Sequence, residues 1–165
     1  NLERILSVVT YLHEYHPNLG FMIALAPQIN LDDIHFSGWQ IKQHQGEHYL
    51  SFNQSLLRVS ISSEFIDVVQ ISSCIIGLAG TANEQAVFMN RKVFTFVGTG
   101  PQSTKQRFIE QAKLCGDKCQ FIDEKDPKKI SSHIAVQIDK LLFKPNLPDV
   151  QVASDHIVNN ILNQL

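Results

Sequence analysis

The sequence predicts an α/β domain with a doubly wound parallel sheet, in which helices cover both faces in a three-layer α/β/α arrangement. Two observations lead to this class. Residues 74–78 and 93–97 in the middle of the chain are strongly apolar, as strands buried on both faces are. Segments with apolar residues at helical spacing alternate with these strands, as the helices of βαβ units do.

The first half of the chain is predicted to hold three helices and four strands. Apolar residues at helical spacing open the chain, and turn residues separate the later segments. The predicted elements are a first helix ended by Pro17 and Gly20, a strand over residues 21–26, a short helix capped by Asn30, a hairpin of residues 39–44 and 48–53 turning at Gln45-Gly46, a strand over 56–61 and a short helix over 65–71.

The second half is predicted to alternate between strands and helices and to end with two successive helices. Gly116 stops one helix, and Asp126-Pro127 opens another with a proline in its first turn. The predicted elements are a strand over 74–78, a helix over 82–89, a strand over 93–97, a helix that follows the loop 98–101 and ends at Cys115, a strand over 120–122, a helix from Asp126 to Leu141 and a final helix over 150–161.

The composition excludes several classes of protein. The chain has 44% hydrophobic and 18% charged residues, as globular domains do. Its net charge of -2 argues against a nucleic-acid partner, because phosphate binding depends on Lys and Arg. No apolar run approaches the roughly 20 residues of a membrane-spanning helix. Cys74, Cys115 and Cys119 lack the spacing of a zinc site, so we expect reduced, structural cysteines and no metal.

The start of the sequence bears on domain organisation. Asn1 stands where a full-length chain would have Met, and a helical pattern begins at once. We therefore expect residues 1–165 to be a single domain excised from a longer, two-domain chain.

A loop rich in small residues follows the strand over 74–78. It reads Gly77-Leu78-Ala79-Gly80 and continues as Thr81-Ala82-Asn83-Glu84-Gln85. Free N–H groups at the start of a helix form an anion site at the positive end of its dipole. Thr81 and Asn83 add side-chain donors, Gly80 allows close approach to the backbone, and Glu84 suits a vicinal diol such as a ribose. The candidate binding residues here are Gly80, Thr81, Ala82, Asn83, Glu84 and Gln85.

The same segment has a structural interpretation that needs no ligand. Thr81-x-x-Glu84 is the signature of a capping box, in which the two side chains satisfy the first amides of a helix. Gly80 is then a simple turn glycine. On the pattern alone, this interpretation is favoured over a binding site.

A second loop, Gly98-Thr99-Gly100-Pro101-Gln102, follows the strand over 93–97. It nearly matches the dinucleotide-binding motif, but Ser103 stands at the third glycine and the loop lies far from the first strand, which disfavours NAD. As a second ligand-facing loop it offers further candidates. These are Gly98, Thr99, Gly100 and Gln102. The alternative is a tight turn with Pro101 at the start of a helix.

These motifs carry a resemblance to a known family. Residues 80–86 followed by Asn90-Arg91-Lys92-Val93 resemble the donor-site segment of lipid-A-disaccharide synthase and its relatives. Residues 96–102, Gly116, the opening helix and residues 24–27 are similar to a related bacterial group. The resemblance covers nearly the whole chain as the Rossmann-like carboxy-terminal domain of a GT-B glycosyltransferase. Its most specific part is the central stretch that carries the two loops.

The resemblance implies a substrate and roles for the first loop. It implies a UDP-linked sugar donor as substrate and no separate cofactor. Glu84 would bind the ribose, and residues 81–83 would hold the pyrophosphate. Asn90-Arg91-Lys92 departs from the Gly-Lys-Pro turn usual in the family, which affects the loop more than the site.

The resemblance also implies what lies outside this chain. The base that activates the acceptor in inverting GT-B enzymes usually comes from the amino-terminal domain, so no catalytic residue is assigned here. The parent protein would be a glycosyltransferase and the isolated domain inactive. Its partners would be the nucleotide-sugar donor and that amino-terminal domain. The location would be cytoplasmic, with room for a peripheral contact of the missing domain with the inner face of the membrane.

Two other functions share the predicted fold. A UDP-sugar 2-epimerase typically has two successive Glu in this loop, but Gln85 occupies the second position. A non-catalytic interaction module would have kept the fold and lost the ligand.

The pattern His44-x-x-Glu47-His48 matches an inverted zinc-protease motif, but Gly46 favours a hairpin turn there.

Overall fold

A computed structural model describes residues 1–26, 29–30, 35–53 and 55–142. The predicted short helix after Asn30 and the final helix over 150–161 lie outside the described residues. The elements in chain order are α1 (Leu2–Tyr15), β1 (Phe21–Ala24), β2 (Trp39–His44), β3 (Glu47–Phe52), β4 (Arg58–Ser62), α2 (Phe65–Ile71), β5 (Cys74–Ile76), α3 (Gly80–Phe88), β6 (Lys92–Phe96), α4 (Lys105–Cys115), a 3-10 turn (Gly116–Lys118), β7 (Cys119–Ile122) and α5 (Pro127–Leu142).

The first four strands form a mixed sheet in the order β1-β4-β3-β2. β1 and β4 are parallel, whereas β2, β3 and β4 are antiparallel neighbours. Gln45 and Gly46, with φ of 51° and 86°, form the tight turn between β2 and β3. The predicted hairpin is confirmed. His44 pairs with Glu47 across it, so the inverted protease motif does not lie on a helix.

The last three strands form a parallel sheet in the order β5-β6-β7. Its two faces are buried under different helices. Phe94, Phe96 and Ile122 pack in one core cluster with apolar residues of α1 and α5. Val93 and Cys119 belong to a second cluster, with residues of α2 and α3. Because successive strand side chains alternate between faces, this sheet is the middle of three layers.

The sheet architecture corrects the predicted single parallel sheet. The α/β class is confirmed, but the strands form two sheets, and the first is mixed because the β2–β3 hairpin adds antiparallel strands. The two sheets share core packing. Phe21 of β1 and Ile5 of α1 both contact the cluster under the three-stranded sheet and the cluster under the mixed sheet.

Two helix starts differ from their predicted positions. α3 begins at Gly80, two residues before the predicted start. α4 begins at Lys105 rather than directly after the loop 98–101, with the Thr104 side chain accepting a hydrogen bond from the Arg107 amide at 3.4 Å. Residues 100–103 form a turn instead, closed by the Ser103 amide donating to the Gly100 carbonyl at 3.2 Å.

The described ranges also bear on membrane insertion and metal binding. None of the helices found there is both long and apolar enough to cross a bilayer. Within those residues, no three His, Cys, Asp or Glu side chains are grouped so that they could hold a metal ion.

Candidate functional site

The two loops with candidate residues lie side by side at the carboxyl ends of adjacent parallel strands. One loop follows β5 and the other follows β6, which pairs with β5 in register from Cys74 opposite Lys92. The Ser103 hydroxyl, in the second loop, donates to the Leu78 carbonyl, in the first, at 3.3 Å. This is the edge of an α/β sheet at which ligands generally bind.

The start of α3 carries no side-chain cap. Its N-cap residue is Ala79, and the first helical hydrogen bond runs from the Asn83 amide to the Ala79 carbonyl at 3.2 Å. The amides of Gly80, Thr81 and Ala82 therefore precede the helical ladder. Ala79, Gly80 and Thr81 are exposed. These amides can bind an anion at the positive end of the helix dipole.

The capping-box interpretation of this segment is wrong. A capping box needs Thr at the N-cap position and Glu three residues later. Thr81 instead lies inside the first turn, two residues beyond Ala79. The Glu84 carboxylate accepts from the Gln111 side chain at 3.2 Å rather than from a first-turn amide.

Asn83 faces the interior and not a ligand. Its side chain is 1% exposed. Nδ2 donates to the Gly77 carbonyl at 3.2 Å and to Oε1 of Gln111 at 3.0 Å. The prediction that Asn83 donates to a ligand is thus corrected, because its amide hydrogens are used inside the protein. Gly77 is required here, since a Cβ on it would lie 1.9 Å from Oδ1 of Asn83.

Gln111 of α4 is a site residue that the sequence analysis missed. It is 8% exposed, and its Nε2 donates to the Gly80 carbonyl at 2.7 Å and to Oε1 of Glu84 at 3.2 Å. Its position in the sequence could have identified it. Gln111 is a polar residue between Phe108 and Cys115 on the face of α4 that packs against the core. A buried polar residue on such a stripe needs partners, and here they belong to α3.

Glu84 lies on the side of α3 next to α4. The residue is exposed, with its carboxylate anchored at Oε1 by Gln111. The same carboxylate affects a nearby thiol, since burial and then the charge of Glu84 raise the pKa of Cys115. Gln85, the next residue on the helix, is also exposed. Glu84 is therefore both fixed in position and accessible to a ligand.

The second loop is partly occupied by the start of the chain. Oδ1 of Asn1 accepts from the Thr99 amide at 2.7 Å and from the Thr99 hydroxyl at 3.0 Å. Nδ2 of Asn1 donates to the Ser103 hydroxyl at 3.1 Å. A Cβ at Gly98 would lie 2.5 Å from Oδ1 of Asn1. Gly98 and Thr99 thus hold α1 against the loop and do not present free donors to a ligand.

The remaining candidates of the second loop point outward. Gly100 and Gln102 are exposed, and Gly100 has a φ of 90° that favours glycine. They stay accessible beside the first loop. The structure therefore brings the two loops together, but the accessible polar groups are those of residues 80–82, Glu84, Gln85 and Gln102.

A shallow cavity of about 450 Å³, largely open to solvent, lies away from these loops, between α4 and β7. Lys92 and Asp117 line it and lie at the amino-terminal ends of β6 and β7. The first turn of α3 lies at the opposite end of the sheet. The candidate site is therefore an open edge and not this cavity.

Comparisons of the chain with protein-family models, with curated proteins and with solved structures gave no match.

Proposed function

We propose that this chain is the donor-binding half of a GT-B glycosyltransferase and holds a UDP-linked sugar at the start of α3. One observation carries the proposal. The first turn of α3 is exposed and has no side-chain cap, and the Glu84 carboxylate is anchored one turn further along.

The diphosphate is assigned to the first turn of α3. The amides of Gly80, Thr81 and Ala82 supply donors to phosphate oxygens, and the Thr81 hydroxyl adds another. Gly80 is suited to close approach, because no side chain stands between a phosphate and the backbone. The helix dipole favours the negative charge at this end. This pairing resembles the anion sites that other α/β folds build at a helix start.

The ribose is assigned to Glu84. This residue lies four positions after Gly80, about 6 Å further along the helix axis, which suits the step from a phosphate to its ribose. A carboxylate can accept hydrogen bonds from both hydroxyls of a vicinal diol. The Gln111 amide fixes one oxygen of Glu84, so less side-chain freedom is lost when the ribose binds.

The proposal includes a doubly wound arrangement of the strands. β1 and β5 each have one strand neighbour, β4 and β6 respectively. Phe21 of β1 and Ile76 of β5 contact one core cluster. A doubly wound GT-B domain would have β1 and β5 as neighbours in a continuous sheet. The acceptor and the catalytic base would come from a second domain facing this edge.

Titration of UDP into the purified chain tests the proposal. We expect saturable binding to the wild type, detected by calorimetry, and a loss of about tenfold or more in affinity for Glu84→Ala, because a hydrogen bond to a charged group contributes about 1.5–3 kcal/mol. The matched control is Glu110→Ala, which removes an exposed carboxylate of α4 that is bonded to Gln106.

The outcomes separate the parts of the proposal. Binding that is equally tight with Glu84→Ala would remove the ribose assignment and leave the first turn of α3 as an anion site. Absence of saturable UDP binding to the wild type would exclude the nucleotide function and favour an interaction module with this fold.

A further inference from the structure

The helices α2, α3 and α4 end together at the amino-terminal end of the parallel strands, in what we name the basal surface. It comprises the ends of these helices and the turns after them, residues 70–73, 88–92 and 113–118. Side chains link the turns. Arg91 donates to the carbonyls of Val69, at 3.0 Å, and Gln70. Lys118 donates to the Asn90 side chain and Lys92 to the Asp117 carbonyl.

Large apolar side chains project from this surface. Phe88 ends α3 and is 96% exposed, and Leu114 near the end of α4 is 79% exposed. Both follow the contact between Glu84 and Gln111 by about one turn, Phe88 at i+4 from Glu84 and Leu114 at i+3 from Gln111. They therefore project from neighbouring parts of the α3–α4 pair. Ile71, at the end of α2, is 47% exposed.

The same surface carries positive charge without carboxylate partners. Its cationic residues are Arg91, Lys92, Lys113 and Lys118, and its one acidic residue is Asp117. The ion pairs found within the described ranges involve none of these cations. Arg91, Lys92 and Lys118 bond to neutral oxygens instead. Their charge is therefore not neutralised within the described part of the protein.

A purely structural role explains only part of this pattern. Cations at the carboxyl ends of helices stabilise the helix dipole, and Arg91 does so by binding two carbonyls of α2. Lys113, in the last turn of α4, has a favourable position of the same kind. This role does not explain two nearly fully exposed apolar side chains, Phe88 and Leu114. Exposed Phe and Leu beside uncompensated cations are the features of a surface that contacts anionic lipid.

We propose that the basal surface binds an anionic phospholipid bilayer, with Phe88 and Leu114 entering the headgroup region and Lys92, Lys113 and Lys118 contacting lipid phosphates. The opposite charges of the surface and the lipid determine this occupant. The start of α3 lies at the other end of the sheet, so bound protein keeps that edge facing water. The proposal is independent of the nucleotide site.

Co-sedimentation of the purified chain with vesicles tests this proposal. We expect binding to vesicles of equal parts phosphatidylglycerol and phosphatidylcholine, and weak or no binding to phosphatidylcholine alone. The partition coefficient should fall about tenfold or more with Lys113→Gln/Lys118→Gln. It should fall by a similar factor with Phe88→Ser/Leu114→Ser. Added salt should weaken binding to the anionic vesicles.

Matched controls test whether the effects belong to this surface. Leu56→Ser removes an 88% exposed apolar side chain elsewhere, and Lys128→Gln/Lys140→Gln removes two exposed lysines of α5. Both controls should bind as the wild type does. Circular dichroism verifies that each variant is folded.

Three results would overturn the proposal. The first is equal binding to neutral and anionic vesicles. The second is loss of binding by the control variants as large as that of the basal variants. The third is no binding to the anionic vesicles. If the chain then shows concentration-dependent self-association that Phe88→Ser/Leu114→Ser abolishes, the surface belongs to a second copy of the chain.

Discussion

At the scale of single residues, the buried pair Asn83 and Gln111 joins packing to the candidate site. Both side chains are almost fully buried, and each hydrogen-bonds the other and the backbone of the first loop. A buried amide that loses a partner keeps its full desolvation cost. The pair therefore fixes the loop 77–80 against α4, and with it the direction of Glu84.

Gly77 and Asn83 should be energetically coupled. Gly77→Ala places a Cβ 1.9 Å from Oδ1 of Asn83, and we expect a loss of about 1–3 kcal/mol in the free energy of unfolding from this overpacking. Asn83→Ala should cost a similar amount because it leaves Oε1 of Gln111 without a donor. The double variant should be more stable than the sum by about 1 kcal/mol or more, since Asn83→Ala removes the clash.

Urea unfolding of the four proteins in this cycle measures the coupling. The control is Gly20→Ala, because a Cβ there meets nothing within 4 Å, and its effect should be additive with Asn83→Ala. Additivity of Gly77→Ala and Asn83→Ala within about 0.5 kcal/mol would show that the two residues are not in contact.

The sequence could identify residues of the site by type but not by orientation. Thr81 and Glu84 matched a capping box, yet Ala79 is the N-cap, because the backbone enters the helix two residues earlier. Asn83 has the chemistry of a ligand donor, but the helical phase turns it inward towards Gln111. Such distinctions depend on which face of α3 meets α4, and that contact is made between residues far apart in the chain.

At the scale of elements, apolar periodicity predicted the helices and strands well. The hairpin β2–β3 was confirmed because Gln45-Gly46 suits a turn with two positive φ angles. The start of α4 was not predicted, since Pro101 is compatible with a helix start but the chain first closes a turn to Ser103. Thr104 then caps the helix. Local signals fix the type of an element more firmly than its first residue.

The glycine that begins α3 provides a prediction at this scale. Gly80 has no backbone angle that requires glycine, and a Cβ on it would meet Nε2 of Gln111 at 3.9 Å, an ordinary contact. Gly80→Ala should therefore raise the free energy of unfolding by about 0.4–1 kcal/mol, through a less flexible unfolded chain. If the first turn binds a diphosphate, the same methyl group obstructs it, and UDP affinity should fall.

Urea unfolding and UDP calorimetry of Gly80→Ala separate the two effects. Gly46→Ala is the contrasting control, because the φ of 86° at Gly46 makes alanine strained there, and this variant should lose stability. A Gly80→Ala protein that gains stability and binds UDP as tightly as the wild type would exclude close approach of phosphate to this backbone.

At the scale of the whole molecule, the sequence predicted the α/β class and the alternation of its second half. It did not predict two separate sheets, because strand pairing is made between residues far apart in the chain and apolar runs do not encode it. The cationic basal surface could not be predicted either, because the net charge of the whole chain is -2. The four cations of this surface lie in two separate segments of the sequence, at residues 91–92 and 113–118. The parallel course of α3 and α4 brings these two segments together.

The stability of the whole molecule should fall at alkaline pH because of two thiols, Cys119, which is buried, and Cys74, which is half-buried. Burial raises the pKa of Cys74 and of Cys119 from 9.0 to about 11. The unfolded chain therefore loses these protons first, and the stabilisation present below pH 9 is lost as the pH rises towards 11. Urea unfolding under reducing conditions at pH 8 and pH 11 measures the fall. In Cys74→Ala/Cys119→Ala the fall should be smaller by at least about 1 kcal/mol, since each pKa unit corresponds to about 1.4 kcal/mol. All other titratable groups are common to both proteins. Parallel pH profiles would therefore mean that the two thiols ionise as freely in the folded protein as in the unfolded chain.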